Sequence, residues 1–300
     1  MARKEGMKKR YIRNWSEYNE RLVRRGEMYA DLDFVENWDK EIEEQNAGKI
    51  GRPYTYPETF IKFSAIIYEL FNLPYRQMEG FYRKLSKYIR KLKAADYTTL
   101  FRRMQKTNIE IPETLKDGAV IAIDSTGIKV TNRGEWVREK WKVHRGWLKV
   151  HIAVEVKTKK ILGIEITDER VSDSKMFRNL ISKAEKKAKI EKVLADGAYD
   201  TRDNFNLLEK KGIEPGIKIR KNANPRARGS SYRKKCVREL KEIGYEKWKE
   251  QHDYGKRWAV EGVFSSVKRI FGESVRAHSH TSAIQEAKRK FIIYNTLLNM

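Results

Sequence analysis

Cysteine is all but missing from this sequence: Cys236 is the only one in 300 residues, so no disulfide can close within the chain. One cysteine and five histidines also leave too few soft ligands for a Cys/His zinc site. No apolar run approaches the roughly 18 residues of a membrane span. The first residues, "MARKEGMKKRYIRNW", lack the apolar stretch of a secretory signal. Acid is in short supply too. The 41 Asp and Glu stand against 65 Lys and Arg, which leaves a net charge of +24 and a pI near 9.8. Such a surplus calls for a polyanionic partner, and with no membrane segment the expected one is nucleic acid. The expected location is a reducing cytoplasm, at the nucleoid.

What is present is an ordinary 40% hydrophobic content, enough for one large domain or two modest ones. Residues 1–115 read as mostly helical. "PETFIKFSAIIYELFNL" starts a helix after Pro57 and carries Phe60, Phe63, Ile67, Leu70 and Phe71 at helical spacing. "LPYRQMEGFYRKLSKYIRKL" restarts after Pro74 with a stripe of Met78, Phe81, Leu85 and Ile89. "DYTTLFRRMQK" offers Asp96 or Thr98 as an N-cap for a short basic helix. Short basic helices broken by proline suit a DNA-binding unit of helix-turn-helix type, with Arg76, Arg102 and Arg103 as candidate contacts. A plain helical packing module is the competing expectation.

The period changes near residue 118. "AVIAID" (119–124) is a continuous apolar run ending in Asp124, as expected for a strand covered on both faces. "WLKVHIAVEV" and "KILGIEI" alternate, and the "KTKK" between them predicts a hairpin. A helix opens at Asp173 or Ser174. A second apolar run, "KVLAD", ends in Asp196; a helix over 201–211 stops at Gly212, and "EPGIKIR" follows as a fifth strand. Residues 218–250 then carry twelve Lys or Arg against four acids, with Tyr232, Tyr245 and Trp248 interleaved, which suits phosphates and exposed bases. The two fully apolar strands should be central neighbours, with Asp124 and Asp196 at their ends.

"YGKRWAVEGVFSSVKR" (254–269) reads as one helix. Taken as such at about 100° per residue, it gathers Tyr254, Arg257, Glu261 and Lys268 within roughly a 60° sector beside an apolar stripe of Val260, Val263, Phe264 and Val267. A solvated Arg257–Glu261 pair is the modest reading. The other is that Glu261 joins Asp124 and Asp196. Three carboxylates in one place are costly without protons or cations, and oxygen-only ligands suit Mg²⁺, with Mn²⁺ as a substitute. Two such ions can activate an attacking hydroxyl and stabilise a leaving oxygen with no protein nucleophile.

These residues carry a resemblance. "GRPYTYPE", "LPYRQMEGF", "DYTTLFRRM", "IDSTGIKV", "WLKVHIAVE", "ADGAYDTR" and "VEGVFSSVKRIFG" together resemble the DDE transposases of insertion sequences, in family five. The most specific piece is the Y-x₂-R-x₃-E-x₆-K spacing at Tyr254, Arg257, Glu261 and Lys268. The resemblance implies an α/β fold: a ribonuclease-H-like, mixed five-stranded sheet with flanking helices (residues 116–300), preceded by a helical N-terminal domain (1–115). It implies Asp124, Asp196 and Glu261 as catalytic metal ligands, and Tyr254, Arg257 and Lys268 as phosphate contacts near the cleaved end. A basic insertion at about 218–252 would bring Trp248 to stack on a base. The implied partners are double-stranded DNA, as element ends and target, and further copies of the chain in a dimer or larger assembly. A nuclease of the same lineage without strand transfer, or a DNA-binding protein without catalysis, remains the alternative.

Overall fold

The computed structural model describes residues 14–107, 118–130, 146–226 and 228–298. The expected boundary at 115/116 lies outside them.

Helices come first: α1 (Trp15–Met28), α2 (Trp38–Asn46), α3 (Glu58–Phe71), α4 (Tyr75–Leu85) and α5 (Tyr97–Lys106). Pro57 and Pro74 precede α3 and α4 in extended backbone, where their missing N–H costs nothing. Asn72, in the left-handed region, turns the chain between the two helices. Asp96 caps α5 by accepting from the amides of Thr98 and Thr99 at 3.0 and 2.9 Å. Phe34, Trp38, Phe60, Phe63, Met78, Leu100 and Met104 bury one shared core.

A mixed sheet follows, built from β1 (Ala119–Lys129), β2 (Trp147–Glu155), β3 (Ile161–Asp168), β4 (Ile190–Ala195) and β5 (Glu214–Ile217), in the spatial order β3-β2-β1-β4-β5. The first three are antiparallel neighbours, while β4 pairs parallel to β1 and β5 parallel to β4. This is the ribonuclease-H-like arrangement, with the two apolar runs central as expected. One expectation needs correction: β1 does not end at Asp124 but runs on to Lys129, paired with β2 beyond the reach of β4 and bridged at Lys129 to Ser274.

Each face of the sheet has its own cover. On one, α6 (Asp173–Glu185) and α7 (Arg202–Lys211) pack Phe177, Leu180, Phe205 and Leu208 against Ile121, Ile123, Val193 and Ala195. On the other, α10 (Trp258–Phe271) and α11 (His280–Leu298) set Val260, Val263, Phe264 and Phe291 on Ala122, Leu194 and Ile152. Double cover explains why β2 is almost wholly buried despite its alternating sequence, His151 and Glu155 included.

Between β5 and α10, helices α8 (Ser231–Ile243) and α9 (Tyr245–Gln251) form the insertion. Its Val237, Cys236 and Ala223 extend the α7-side core, and burial pushes the Cys236 thiol up to about 12. The N-terminal helices are joined to this body by α11. Arg289 Nε donates to Glu69 of α3 at 3.0 Å with both side chains buried, and Arg25 of α1 donates to the Leu297 carbonyl at 2.9 Å.

Candidate active site

Ile123 pairs with Ala195 across the parallel β1–β4 ladder, so Asp124 and Asp196 come next in line on adjacent strands. Side chains alternate along a strand, and Ile123 and Ala195 face α6; both aspartates therefore turn toward α10. Each is fixed by a backbone amide: Ser125 N donates to Asp124 Oδ1 at 2.8 Å, and Ala198 N to Asp196 Oδ1 at 2.8 Å. Glu261, in the first turn of α10, is the third carboxylate.

Arg257 joins two of the three. Its Nη1 donates to Asp124 Oδ2 at 2.9 Å and its Nη2 to Glu261 Oε1 at 2.5 Å. The ion pair read from spacing is thus real, but it is half of a bridge and the guanidinium is mostly shielded from solvent. Burial raises the Asp124 carboxyl above its ordinary range; the Ser125 amide and Arg257 pull it down, and Asp196 and Glu261 push it up again. Asp124 therefore feels both of the other acids.

The stretch 254–269 is not one helix. Tyr254–Arg257 form a 3-10 turn and the α-helix begins at Trp258, so Tyr254 does not share a helical face with Glu261. Tyr254 is buried; its ring lies 5.2 Å from that of Trp248, and the Arg257 guanidinium sits 5.9 Å from its centroid. Burial lifts its hydroxyl to about 12, against the pull of Arg257. Lys268 lies seven residues beyond Glu261, about 10 Å along the axis at 1.5 Å per residue.

Trp248 contradicts the role expected of it. It is 2% exposed, wedged among Tyr245, His252 and Tyr254, and offers no face to a base. Trp258, next to Arg257, is by contrast 72% exposed. Among the N-terminal candidates, Arg76 and Arg102 are exposed. Arg103 is instead engaged within its own domain: it pairs with Glu58 at 2.8 Å, donates to the Tyr56 carbonyl at 3.2 Å and lies over Tyr54.

Sequence reasoning passed over the anchor of the insertion. Asp200, in the same "ADGAYD" stretch as Asp196, takes a two-pronged bond from Arg233 of α8 at 2.6 and 2.8 Å and accepts from the Arg220 amide at 3.0 Å. Arg220 Nε also donates to the Gly197 carbonyl at 2.8 Å. The basic segment thereby clamps the loop that carries Asp196. A second acid four residues after the first was the available signal.

Among the described residues no three His, Cys, Asp or Glu side chains enclose an ion-sized space. The donor set nevertheless fits a hard divalent cation. It is three carboxylates, two at neighbouring positions of adjacent strands; burial, with Asp196 and Glu261 as lesser causes, raises Asp124, and Arg257 partly offsets this.

The chain belongs to the DDE transposases. Residues 115–296 match the family described as transposase DDE domain, and residues 23–133 match a second family of the same description. Solved structures with similarity include a piggyBac transposase synaptic complex with hairpin DNA. It is 10% identical, with TM-score 0.42, over 91% of this chain and 73% of that one. A Drosophila P element transposase strand transfer complex is 11% identical, with TM-score 0.34, over 92% and 70%. No residue role follows from likeness at that level.

Proposed function

We propose that this protein is the transposase of an insertion sequence of family five, in the group marked by the Tyr254, Arg257, Glu261, Lys268 spacing. It would bind the element's terminal inverted repeats, cleave DNA at the ends and join the 3′-hydroxyls to target DNA. The observation that carries the reading is the Arg257 bridge, which brings Glu261 to Asp124 beside the strand end that bears Asp196.

In this reading Asp124, Asp196 and Glu261 would hold Mg²⁺, or Mn²⁺ in its place, which supplies activation of the attacking oxygen and stabilisation of the leaving one. The protein's own groups orient and hold. Ser125 N and Ala198 N set the two aspartates, and Arg257 aims Glu261 inward. With its forked guanidinium, Arg257 is also the group suited to a phosphate once DNA enters, and Lys268 would serve a phosphate further along the strand. Trp258, beside Arg257, is an exposed aromatic suited to an unstacked base.

The division of labour we propose is recognition by the helical domain (1–115) and chemistry by the remainder (116–300), with Arg76 and Arg102 on the DNA-facing surface. Two or more copies would hold the two ends. The +24 charge supports a DNA partner in the cytoplasm, and among the described residues no helix is long and apolar enough to cross a membrane.

The test is a cleavage and strand-transfer assay on cognate ends with Mg²⁺. Wild-type protein should cut and join, and folded Asp196→Asn should do neither while still binding the ends. Cutting without joining would move the reading to a nuclease of this lineage; full activity in Asp196→Asn would overturn the triad.

A further inference from the structure

The joint between the N-terminal helices and the sheet is built from charge. Four charged side chains are buried there: Glu69 of α3, and Glu286, Arg289 and Lys290 of α11. Arg289 Nε donates to Glu69 Oε1 at 3.0 Å, and its Nη1 donates to the Met104 carbonyl of α5 at 3.4 Å. Arg276, in the link between α10 and α11, lies 4.1 Å over the Tyr68 ring and donates to the Tyr68 carbonyl at 3.1 Å. Glu286 accepts from the Arg276 and Ala277 amides at 2.9 and 3.0 Å.

A joint built for strength alone would be better served by apolar side chains of similar size, because the desolvation of buried ions can outweigh their attraction. Nor is every group here matched. Burial lifts the Glu69 carboxyl to about 7 even with Arg289 beside it, and Glu69 Oε2 and Arg276 Nε have no hydrogen-bond partner among the described residues. What hydrogen-bonded ions supply and apolar contacts do not is direction.

The joint reaches both the recognition helices and the site. Tyr75 stacks on Tyr68 at 4.5 Å and meets Phe101 edge-on at 5.4 Å, so Arg76 and Arg102 each follow a ring of this stack. On the other side, Lys290 Nζ donates to the carbonyl of Phe271, the last residue of α10, at 3.1 Å and to that of Ser274 at 2.6 Å. The same link holds the tail of β1: the Lys129 amide donates to the Glu273 carbonyl and the Val275 amide to the Lys129 carbonyl, both at 2.9 Å. Helix α10 carries Glu261 and β1 carries Asp124.

We propose that Glu69 and Arg289 are positioning residues for the reaction: their bond fixes the helical domain in one orientation on the catalytic body, so that end DNA gripped at Arg76 and Arg102 meets the carboxylates in one register. The proposal rests on the transposase reading for its DNA, but the orientation it invokes can be measured without DNA. Both residues are buried, and they act through the helices they join.

The experiment uses the full chain with Glu69→Leu, with Arg289→Met, and with the two together. Interdomain distance is read by electron paramagnetic resonance between nitroxides at Lys87→Cys and Lys210→Cys, both exposed, with Cys236→Ala in every labelled chain. Melting temperature, end affinity, and the rate and position of single-turnover cleavage are read beside it. The wild-type joint should give one narrow distance. Each single variant should broaden it about twofold, keep end affinity within about threefold, slow cleavage about tenfold and scatter the cuts over neighbouring phosphates. The apolar pair strands no charge, so it should melt close to wild type while keeping the broad distance and the scattered cuts. It also keeps the test open if a single variant fails to fold. A narrow distance with correctly placed cuts in the apolar pair, or an unchanged distance in folded Glu69→Leu, would overturn the proposal. Wild-type protein that fails to cut element ends would overturn the transposase reading instead, while the distances would still decide the role of the joint.

Discussion

Arg257 and Asp124, 133 positions apart in sequence, are joined by a 2.9 Å hydrogen bond, and the other arm of the same guanidinium holds Glu261. A fork that spans two carboxylates cannot be replaced by a point charge. Arg257→Lys should therefore slow end cleavage at least tenfold with little loss of DNA affinity. Arg257→Ala should in addition raise the Asp124 carboxyl further, since the cation that lowers it is gone. Carboxyl-carbon NMR titration and single-turnover cleavage read the two effects.

Two tryptophans differ sharply in exposure. Trp248 is buried against Tyr254, so Trp248→Ala should cost about 3–5 kcal/mol of stability, as large-to-small changes in a packed core do. Trp258 is open to solvent, so Trp258→Ala should leave stability within about 0.5 kcal/mol. If a base stacks there, DNA binding should weaken by about 1–3 kcal/mol. Urea unfolding and end-binding titrations separate the pair.

The Asp200 side chain is buried and Arg233 half-buried, and the bond between them ties the insertion to the Asp196 loop. Removing one member strands the other. Asp200→Ala should cost about 3–5 kcal/mol and also impair cleavage, because the Arg220 amide loses its acceptor beside Gly197. Denaturation midpoints and cleavage rates of Asp200→Ala and Asp200→Asn check this, with Asn retaining part of both.

Acid should loosen the helical domain at one defined place. The Thr98 and Thr99 hydroxyls hold the Asp96 carboxyl at about 2, with burial opposing them and the two amides adding to the pull. Its folded value lies below the unfolded one near 3.8, so its stabilisation is present above that value and is lost as pH falls through about 2. Asp96→Asn keeps a capping side chain and should flatten the pH 4 to 2 slope of stability. Asp96→Ala should cost about 1 kcal/mol at neutral pH. Thermal melts across that range give the comparison.

Local chemistry wrote much of this protein into its sequence. Pro57, Pro74 and Asp96 mark helix starts, Gly212 marks a helix end with a left-handed φ of 66°, and the runs before Asp124 and Asp196 are the central strands. These signals are legible because they depend on neighbours a few residues away. The candidate site was legible to the extent that two acids followed the apolar runs of neighbouring strands and a third fell on one helix.

The rest depends on contacts between distant segments. β1 outruns Asp124 because β2 supplies a second ladder, and His151 is buried because α6 covers a face that alternation alone would leave wet. The 3-10 turn at Tyr254–Arg257 breaks the helical sector drawn from spacing, yet it delivers Arg257 to Asp124. Trp248 looks like an exposed aromatic in a basic tract until Tyr245, His252 and Tyr254 close around it. Periodicity records which residues avoid water. It holds no information about which second layer arrives to exclude it, and only the packed sheet, with α6 on one face and α10 on the other, decides that.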